Sequence, residues 1–343
     1  MEKRALDIYS LAELGREELD ALLDRSERLR ETRASTLLAG RSIVLLFLSP
    51  SLRTRVSMEL AGKQLGAHVV TLQSGAGLWQ LESGEGVVMR GAAAEHMKEA
   101  AGVLSRYGDL LAVRAFPKRR SWEEDARDEV LLGLRRWSDR PILNLESSLY
   151  HPCQGLADLL TLRRTLGPAK PGTKVVLSWA DHPKALPVAV PNSFALAATR
   201  AGWDLCIARP DGYDLPDSVM QRCRAHAEAA GSALEVTSDR EAAYAGARVI
   251  YAKSWGRLDR YGDDARELRE RAEVGLSRWR VDEGSMALTD DAYFMHCLPV
   301  RRNVVVTDGV IDSPRSLVFE QAENRLHVQK AMLSRMLEAG DDA

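Results

Sequence analysis

The stretch RSIVLLFLSPSLRTRVSMELAGKQLG, Arg41 to Gly66, decides how the rest of the chain is read. Its first part, RSIVLLFL (41–48), is a short apolar run of β-branched and bulky residues. Such a run reads as a strand buried in a parallel sheet. Pro50 breaks it, Ser51 is placed to cap a helix, the following residues keep helical spacing, and Gly66 stops them. A second strand, HVVTLQ, follows at 68–73, which completes a βαβ unit.

The turn inside this unit has a chemistry of its own. A helix N-terminus presents free N–H groups and a partial positive charge, so it attracts anions. Arg53 and Arg55 add forked donors that suit phosphate, and Ser51 and Thr54 add hydroxyls. Together they describe a phosphate cradle. Local physics alone is equally met by an ordinary capped helix with two surface arginines.

The bulk numbers bound the answer. A chain of 343 residues suggests two domains. Apolar residues at 45% and charged residues at 28% fit a globular protein, and a net charge of −2 marks neither a nucleic-acid binder nor a polybasic membrane binder. No run approaches the roughly 20 apolar residues of a membrane span. The charged start MEKRALDIYSLAELGREEL has no secretory apolar core, so a cytoplasmic location is expected. Cys153, Cys206, Cys223 and Cys297 are far apart with no CxxC pair, which argues for free thiols and against a disulfide framework or zinc site.

Along the chain the pattern alternates. Helices around Leu11 to Arg30 precede the strand at 43–48. A helix is expected at 54–65, a Gly-rich loop at 74–86, and a helix at 95–107. A strand at 110–115, a helix near 123–137 and a strand at 141–146 follow. The pattern restarts near residue 150, with a helix at 151–167 and a strand at 174–180. Next come a helix at 190–202 and strands at 204–210 and 248–253, then a strand with its loop at 292–299. The polar stretch from Gly256 reads as a long connection, often a functional loop. A last helix is expected from about Glu320 to Ala339. The fold class is therefore α/β, with two domains that are each a parallel sheet flanked by helices.

In open α/β sheets ligands sit at the carboxyl ends of strands. Polar residues collect there: Ser51 to Arg55, Arg114, Glu146 with His151, Asp181 with His182, Lys253, and His296 with Cys297. A lone His usually satisfies a structural hydrogen bond, and a lone Cys usually packs. Six polar groups at six strand ends are harder to explain that way.

The motifs SLRTR (51–55), HPCQ (151–154) and HCLP (296–299), in this order, resemble the aspartate/ornithine carbamoyltransferases over nearly the whole chain, Leu6 to Leu337. The resemblance implies a carbamoyl phosphate-binding domain at 1–148 and an amine-substrate domain at 149–318. The segment 319–343 would be a C-terminal helix that packs back on the first domain. It also implies a homotrimer with shared active sites, and neither metal nor cofactor. Ornithine carbamoyltransferases carry D-x-x-x-S-M-G, whose Asp pairs with the α-ammonium of ornithine. The matching segment here is IYAKSWG, with Ile250 at the Asp position and Trp255 at the Met position. An apolar Ile cannot compensate a buried ammonium, so an N-acylated ornithine is expected. The segments SWADHPKALPVAVPNSFA, YAKSW, AYFMHCLPVRRN and AENR resemble the N-acylornithine branch, and WADHP with VPNSFA looks closer to its succinyl type.

Roles follow from that resemblance. Ser51, Leu52, Arg53, Thr54 and Arg55 would hold the phosphate, with Arg325 adding a contact and Trp79 reaching it from a neighbouring subunit. Arg114, Thr54 and His151 would polarise the carbamoyl oxygen. Gln154, Cys297 and Leu298 would hold the carbamoyl NH2, with Cys297 a positioning group and not a nucleophile. Glu146, His182, Lys253 and Arg301, with Cys297 and Leu298, would hold the acylated ornithine. Ala92, Ala93 and Ala94 stand where relatives show an acidic DGD-type loop beside the acyl group. Ala94 aligns with a Glu in acetyl-using relatives and a Pro in succinyl-using ones, and Val305 with a Lys of the acetyl type. N-succinyl-L-ornithine is thus the expected acceptor, N-acetyl-L-ornithine the alternative. A catalytically silent binding paralogue is the non-enzyme alternative.

Overall fold

The computed structural model describes residues 7–338. The chain forms two compact units. One contains the residues up to Lys118, Glu123–Cys153 and the chain from Arg325 onward. The other contains Arg119–Trp122 and Gln154–Asn324. Among the described residues no helix is long and apolar enough to cross a membrane.

The first unit opens with α1 (Arg16–Arg30), β1 (Ser42–Phe47), α2 (Arg53–Gln64) and β2 (His68–Ser74). The Gly-rich stretch read as a loop also holds short strands, β3 (Gly77–Leu78) and β4 (Leu81–Glu82). The latter pairs in parallel with β5 (Glu95–His96). Then come α3 (Met97–Tyr107), β6 (Leu110–Arg114), α4 (Trp122–Asp125), α5 (Glu129–Trp137) and β7 (Ile142–Glu146). The main sheet is parallel, in the order β3-β2-β1-β6-β7. The helix expected near 123–137 is broken because Asp128 takes a left-handed conformation, φ 50°, where its carboxylate accepts from the Tyr9 hydroxyl and the Ser148 N–H.

β1 is central because nearly all its side chains are apolar and buried. Val44 and Leu46 pack with Met97, Ala101, Leu111, Val113, Leu131, Leu134 and Ile142. On the other face α2 lies so close that a Cβ at Gly62 would stand 2.6 Å from Val69 Cγ2. Gly66 ends α2 with φ +89°, and a Cβ there would meet the Ser35 carbonyl at 2.7 Å, so glycine is required twice over.

The second unit holds most of α6 (Pro152–Leu166), then β8 (Lys174–Trp179), α7 (Ala189–Ala201) and β9 (Asp204–Ala208). It continues with α8 (Asp217–Ala230), β10 (Leu234–Thr237), α9 (Arg240–Tyr244) and β11 (Val249–Lys253). α10 (Asp264–Glu273), α11 (Glu283–Met286), β12 (Tyr293–Met295), α12 (Asp308–Ile311) and the start of α13 (Val318–Glu338) complete it. Its sheet is also parallel, in the order β10-β9-β8-β11-β12. The end expected for the last helix, Ala339, lies outside the described residues. No helix is expected from the sequence at α8. The stretch after Gly256, expected as a connection, contains α10, which buries Glu267 and Arg271.

The later part of α13 packs on the first unit. Leu333 reaches Gly62, and Met332 Sδ lies 3.8 Å from Cys153 Sγ. Lys330 Nζ donates to the Leu29 carbonyl at 3.3 Å, and the Arg25 guanidinium donates to Ser334 Oγ at 3.0 Å.

Candidate active site

Parallel register brings the expected residues of the first unit to one edge of its sheet. Phe47, the last residue of β1, pairs with Arg114 of β6, and Arg114 pairs with Glu146 of β7 across a register shift. Ser51 to Arg55 follow directly from β1. The helix starts at Arg53 with Leu52 as its flanking residue, and Ser51 Oγ accepts the Thr54 N–H at 3.2 Å. Ser51 therefore caps the helix as expected from its type, at a contribution of about 1 kcal/mol.

Five side chains converge behind this helix start. Thr54, Arg114, Glu146, His151 and Arg325 are all buried. Arg325 Nη2 donates to Thr54 Oγ1 at 2.9 Å. Arg114 Nη1 donates to Glu146 Oε2, and His151 Nε2 lies 3.2 Å from the same oxygen. The Arg114 guanidinium also stacks on Phe116, 4.2 Å from the ring centroid. Two guanidiniums and one carboxylate leave a positive balance among these five.

Burial, helped by that balance, sets the state of His151. Burial first, then Arg325 and Arg114, hold its pKa well below the usual imidazole value. A neutral ring donates from only one nitrogen, and Nε2–H to Glu146 fits the geometry. The unfolded chain therefore takes up this proton first as pH falls. The stability this group contributes is intact above about pH 6.5 and is lost as pH drops toward the depressed folded value. The melting temperature should thus fall more steeply between about pH 7 and 5.5 in wild type than in His151→Gln, and equal slopes in the two proteins would refute the neutral buried state.

Other expected residues of this unit stand apart from the five. Arg55 is turned to Glu59 Oε1 at 3.1 Å and Gln73 Oε1 at 2.6 Å. Trp79 is exposed, with Nε1 donating to Glu95 Oε2 at 2.9 Å. Ala92 and Ala94 are exposed and Ala93 half-buried, with Ala94 N–H donating to the Gln80 carbonyl at 3.1 Å.

The second unit gathers its own groups at the carboxyl edge of its sheet. Lys253 ends β11 in register with Trp179, the last residue of β8. Tyr251 pairs with Met295, the last residue of β12. His182 and His296 follow those neighbouring strands. Burial lowers the His182 pKa, and Lys253, Arg301 and Arg271 add to the shift, so His182 sits among cations. Lys253 is 8% exposed, and neither it nor Arg301 makes an ion pair among the described residues. A buried ammonium in that condition calls for an anion from outside the chain.

The HCLP turn is held from below. His296 N–H donates to Gln321 Oε1 at 2.9 Å, and Leu298 N–H donates to His296 Nδ1 at 2.9 Å. Leu298 takes φ 52°, a left-handed conformation that a leucine adopts only at a cost of about 1–2 kcal/mol. Gln154 Nε2 and Gln321 Nε2 each donate to Asp158 Oδ1 at 2.7 Å. Asp158, Gln321 and Tyr251 were not anticipated from the sequence. The one available signal was the i,i+4 spacing of Gln154 and Asp158 on a helix. Ile250 and Trp255 are fully buried, and the Trp255 indole donates to the Tyr213 carbonyl at 2.9 Å.

The chain is similar to known proteins over both units. The carbamoyl-P binding domain of aspartate/ornithine carbamoyltransferase matches residues 6–164, and its Asp/Orn binding domain matches residues 188–336. The N-acetylornithine carbamoyltransferase of Xanthomonas campestris is 44% identical over 94% of this chain and 95% of its own. The N-succinylornithine carbamoyltransferase of Bacteroides thetaiotaomicron is 38% identical over 87% of this chain and 88% of its own. A solved acetylornithine transcarbamylase complexed with acetylcitrulline superposes with a TM-score of 0.92 at 44% identity, covering 96% of this chain and 98% of that one. With both domains matched and these relatives aligned almost end to end, the chain belongs to the aspartate/ornithine carbamoyltransferase family.

Proposed function

We propose that this chain transfers the carbamoyl group of carbamoyl phosphate to the δ-amine of an N2-acylated L-ornithine, with N-succinyl-L-ornithine preferred. In this reading residues 1–148, with the returning segment 319–343, bind carbamoyl phosphate, and 149–318 bind the acylated amine. The observation that carries the transfer is the buried set Thr54, Arg114, Glu146, His151 and Arg325 behind a helix N-terminus.

Ser51, Leu52, Arg53 and Thr54 would receive the phosphate, and Arg325 would approach it beside Thr54. Arg55, committed to Glu59 and Gln73, would contribute its backbone N–H. Arg114 would stabilise the carbamoyl oxygen as charge builds on it. Glu146 accepts from Arg114 and lies within reach of His151 Nε2. Carbamoyl phosphate would exchange for that carboxylate, freeing Glu146 for the second substrate. Gln154, Cys297 and Leu298 would hold the carbamoyl NH2. The neutral δ-amine attacks the carbonyl carbon, a tetrahedral species forms, and the C–O bond to phosphate breaks. An amine of pKa near ~10.4 must lose a proton to react, and the departing phosphate can take it. In a homotrimer Trp79 of a neighbouring subunit would close over the phosphate.

Charge points to the acceptor. Lys253, buried and without an ion pair among the described residues, and Arg301 suit carboxylates, and Ile250 offers nothing to an ammonium. By the family resemblance, Ala94 would lack the charge and bulk of the Glu of acetyl-using relatives, and Val305 would stand in place of their Lys. A solved mutant N-acetyl-L-ornithine transcarbamylase is complexed with carbamyl phosphate and N-succinyl-L-norvaline, and it superposes with a TM-score of 0.91. The acetyl reading is favoured by overall identity, 44% against 38%. Side-by-side assay of ornithine, N-acetylornithine and N-succinylornithine decides. Succinylornithine should have the highest kcat/KM and ornithine almost none. Ala94→Glu should then shift preference toward acetylornithine, because a like charge excludes the distal carboxylate. A wild-type preference for acetylornithine, or no shift in the variant, would remove the succinyl assignment.

A further inference from the structure

We infer that Asp158 is a positioning residue that fixes which end of the Gln154 amide, and which face of the HCLP turn, is offered to the carbamoyl group. The inference rests on the carbamoyl-transfer reading above. A carboxylate can only accept hydrogen bonds. Both Gln154 and Gln321 must therefore turn their NH2 ends to Asp158, and both do so at 2.7 Å. An amide group is otherwise nearly symmetric in shape, so its orientation is set by its partners alone. With Nε2 committed, Gln154 presents Oε1 as its acceptor end, the polarity needed to receive an N–H of the carbamoyl NH2. The same logic runs through Gln321. Its Oε1 is left to accept the His296 N–H at 2.9 Å, which anchors the turn that carries Cys297 and Leu298. The Tyr251 hydroxyl faces Asp158 and Cys297. One buried carboxylate thus orients amides from α6 and α13 and, through the second of them, the loop after β12. Asp158 itself is fully buried and need touch no substrate.

The test uses the full-length protein. Asp158→Asn keeps the shape but supplies an NH2 of its own, so the amides beside it can flip. Its kcat should fall about 10- to 100-fold, per active site counted by calorimetric titration with carbamoyl phosphate. The KM for the acylated ornithine should stay within about twofold, since its carboxylate-binding groups are untouched. The discriminating variant is the swapped pair Asp158→Asn/Gln154→Glu. There the new amide donates to the new carboxylate, whose second oxygen can only accept, and at least tenfold of the lost kcat should return. Gln154→Glu alone sets two carboxylates face to face and should be less active than the swapped pair. If Asp158→Asn does not fold, the comparison of swapped pair with Gln154→Glu carries the test by itself. A kcat within twofold of wild type in Asp158→Asn, or a swapped pair no better than Gln154→Glu, overturns the inference. A wild type that neither binds carbamoyl phosphate nor carbamoylates an acylated ornithine overturns it together with the reading on which it rests.

Discussion

Arg114→Met should lower kcat by about 10²–10³-fold while the carbamoyl phosphate Kd changes far less. The reason is where the charge appears. In the ground state the carbamoyl oxygen is only partly negative, and a phosphate dianion dominates binding. In the tetrahedral species the oxygen carries most of a unit charge, inside a buried site where a fixed cation is worth more than in water. Arg114 is held for this role by Glu146 and by stacking on Phe116. Its removal has a second consequence. Glu146 loses its cation while buried, and breaking such a pair costs roughly 3–5 kcal/mol. The double variant Arg114→Met/Glu146→Gln separates the two effects. It should recover most of the thermal stability and none of the rate. Recovery of both would show that Arg114 acts only as a structural counter-ion.

Arg53→Ala should remove measurable carbamoyl phosphate binding. A forked pair of charge-assisted hydrogen bonds to a dianion amounts to roughly 3–6 kcal/mol, or a Kd raised by about two to four decades. Arg53 is the first residue of α2, so its backbone and side chain both lie where the helix attracts an anion. The fold should survive, because Ser51 Oγ still receives the Thr54 N–H and the apolar face of α2 is unchanged. Titration calorimetry on the folded variant gives the answer, and an affinity equal to wild type would leave the phosphate cradle without support.

Much of this fold is legible in the residue pattern. β1, β6 and β7, and β8, β9 and β11, are short apolar runs followed by turn residues, and a parallel sheet buried on both faces demands just such runs. The family motifs stand at strand ends, so the edge of each sheet on which the polar groups gather follows from topology alone. Where the reading failed, local signals were overruled by partners far away in the chain. A helix across 123–137 has good periodicity, but Asp128 leaves it to serve Tyr9 and Ser148. The polar stretch after Gly256 looked like a solvated connection because most of its residues are charged. Arg271 buries there by pairing with Glu267 and donating to the His182 carbonyl at 2.9 Å.

The sequence by itself determined the two βα series, the anion-attracting helix start at Arg53, and the absence of an acidic partner for an ammonium at Ile250. These depend on residue type and short-range spacing, which a linear reading contains. Only the tertiary structure decided the protonation of His151, because its pKa is set by burial and by Arg325, 174 positions further on. It also decided that Glu146 would sit on the donors of Arg114 and His151. Likewise, it placed the carboxylate of Asp158 between two glutamines, one four residues away and one 163 residues away. Hydrogen-bond polarity and desolvation are properties of a three-dimensional neighbourhood, and no periodicity along the chain encodes them.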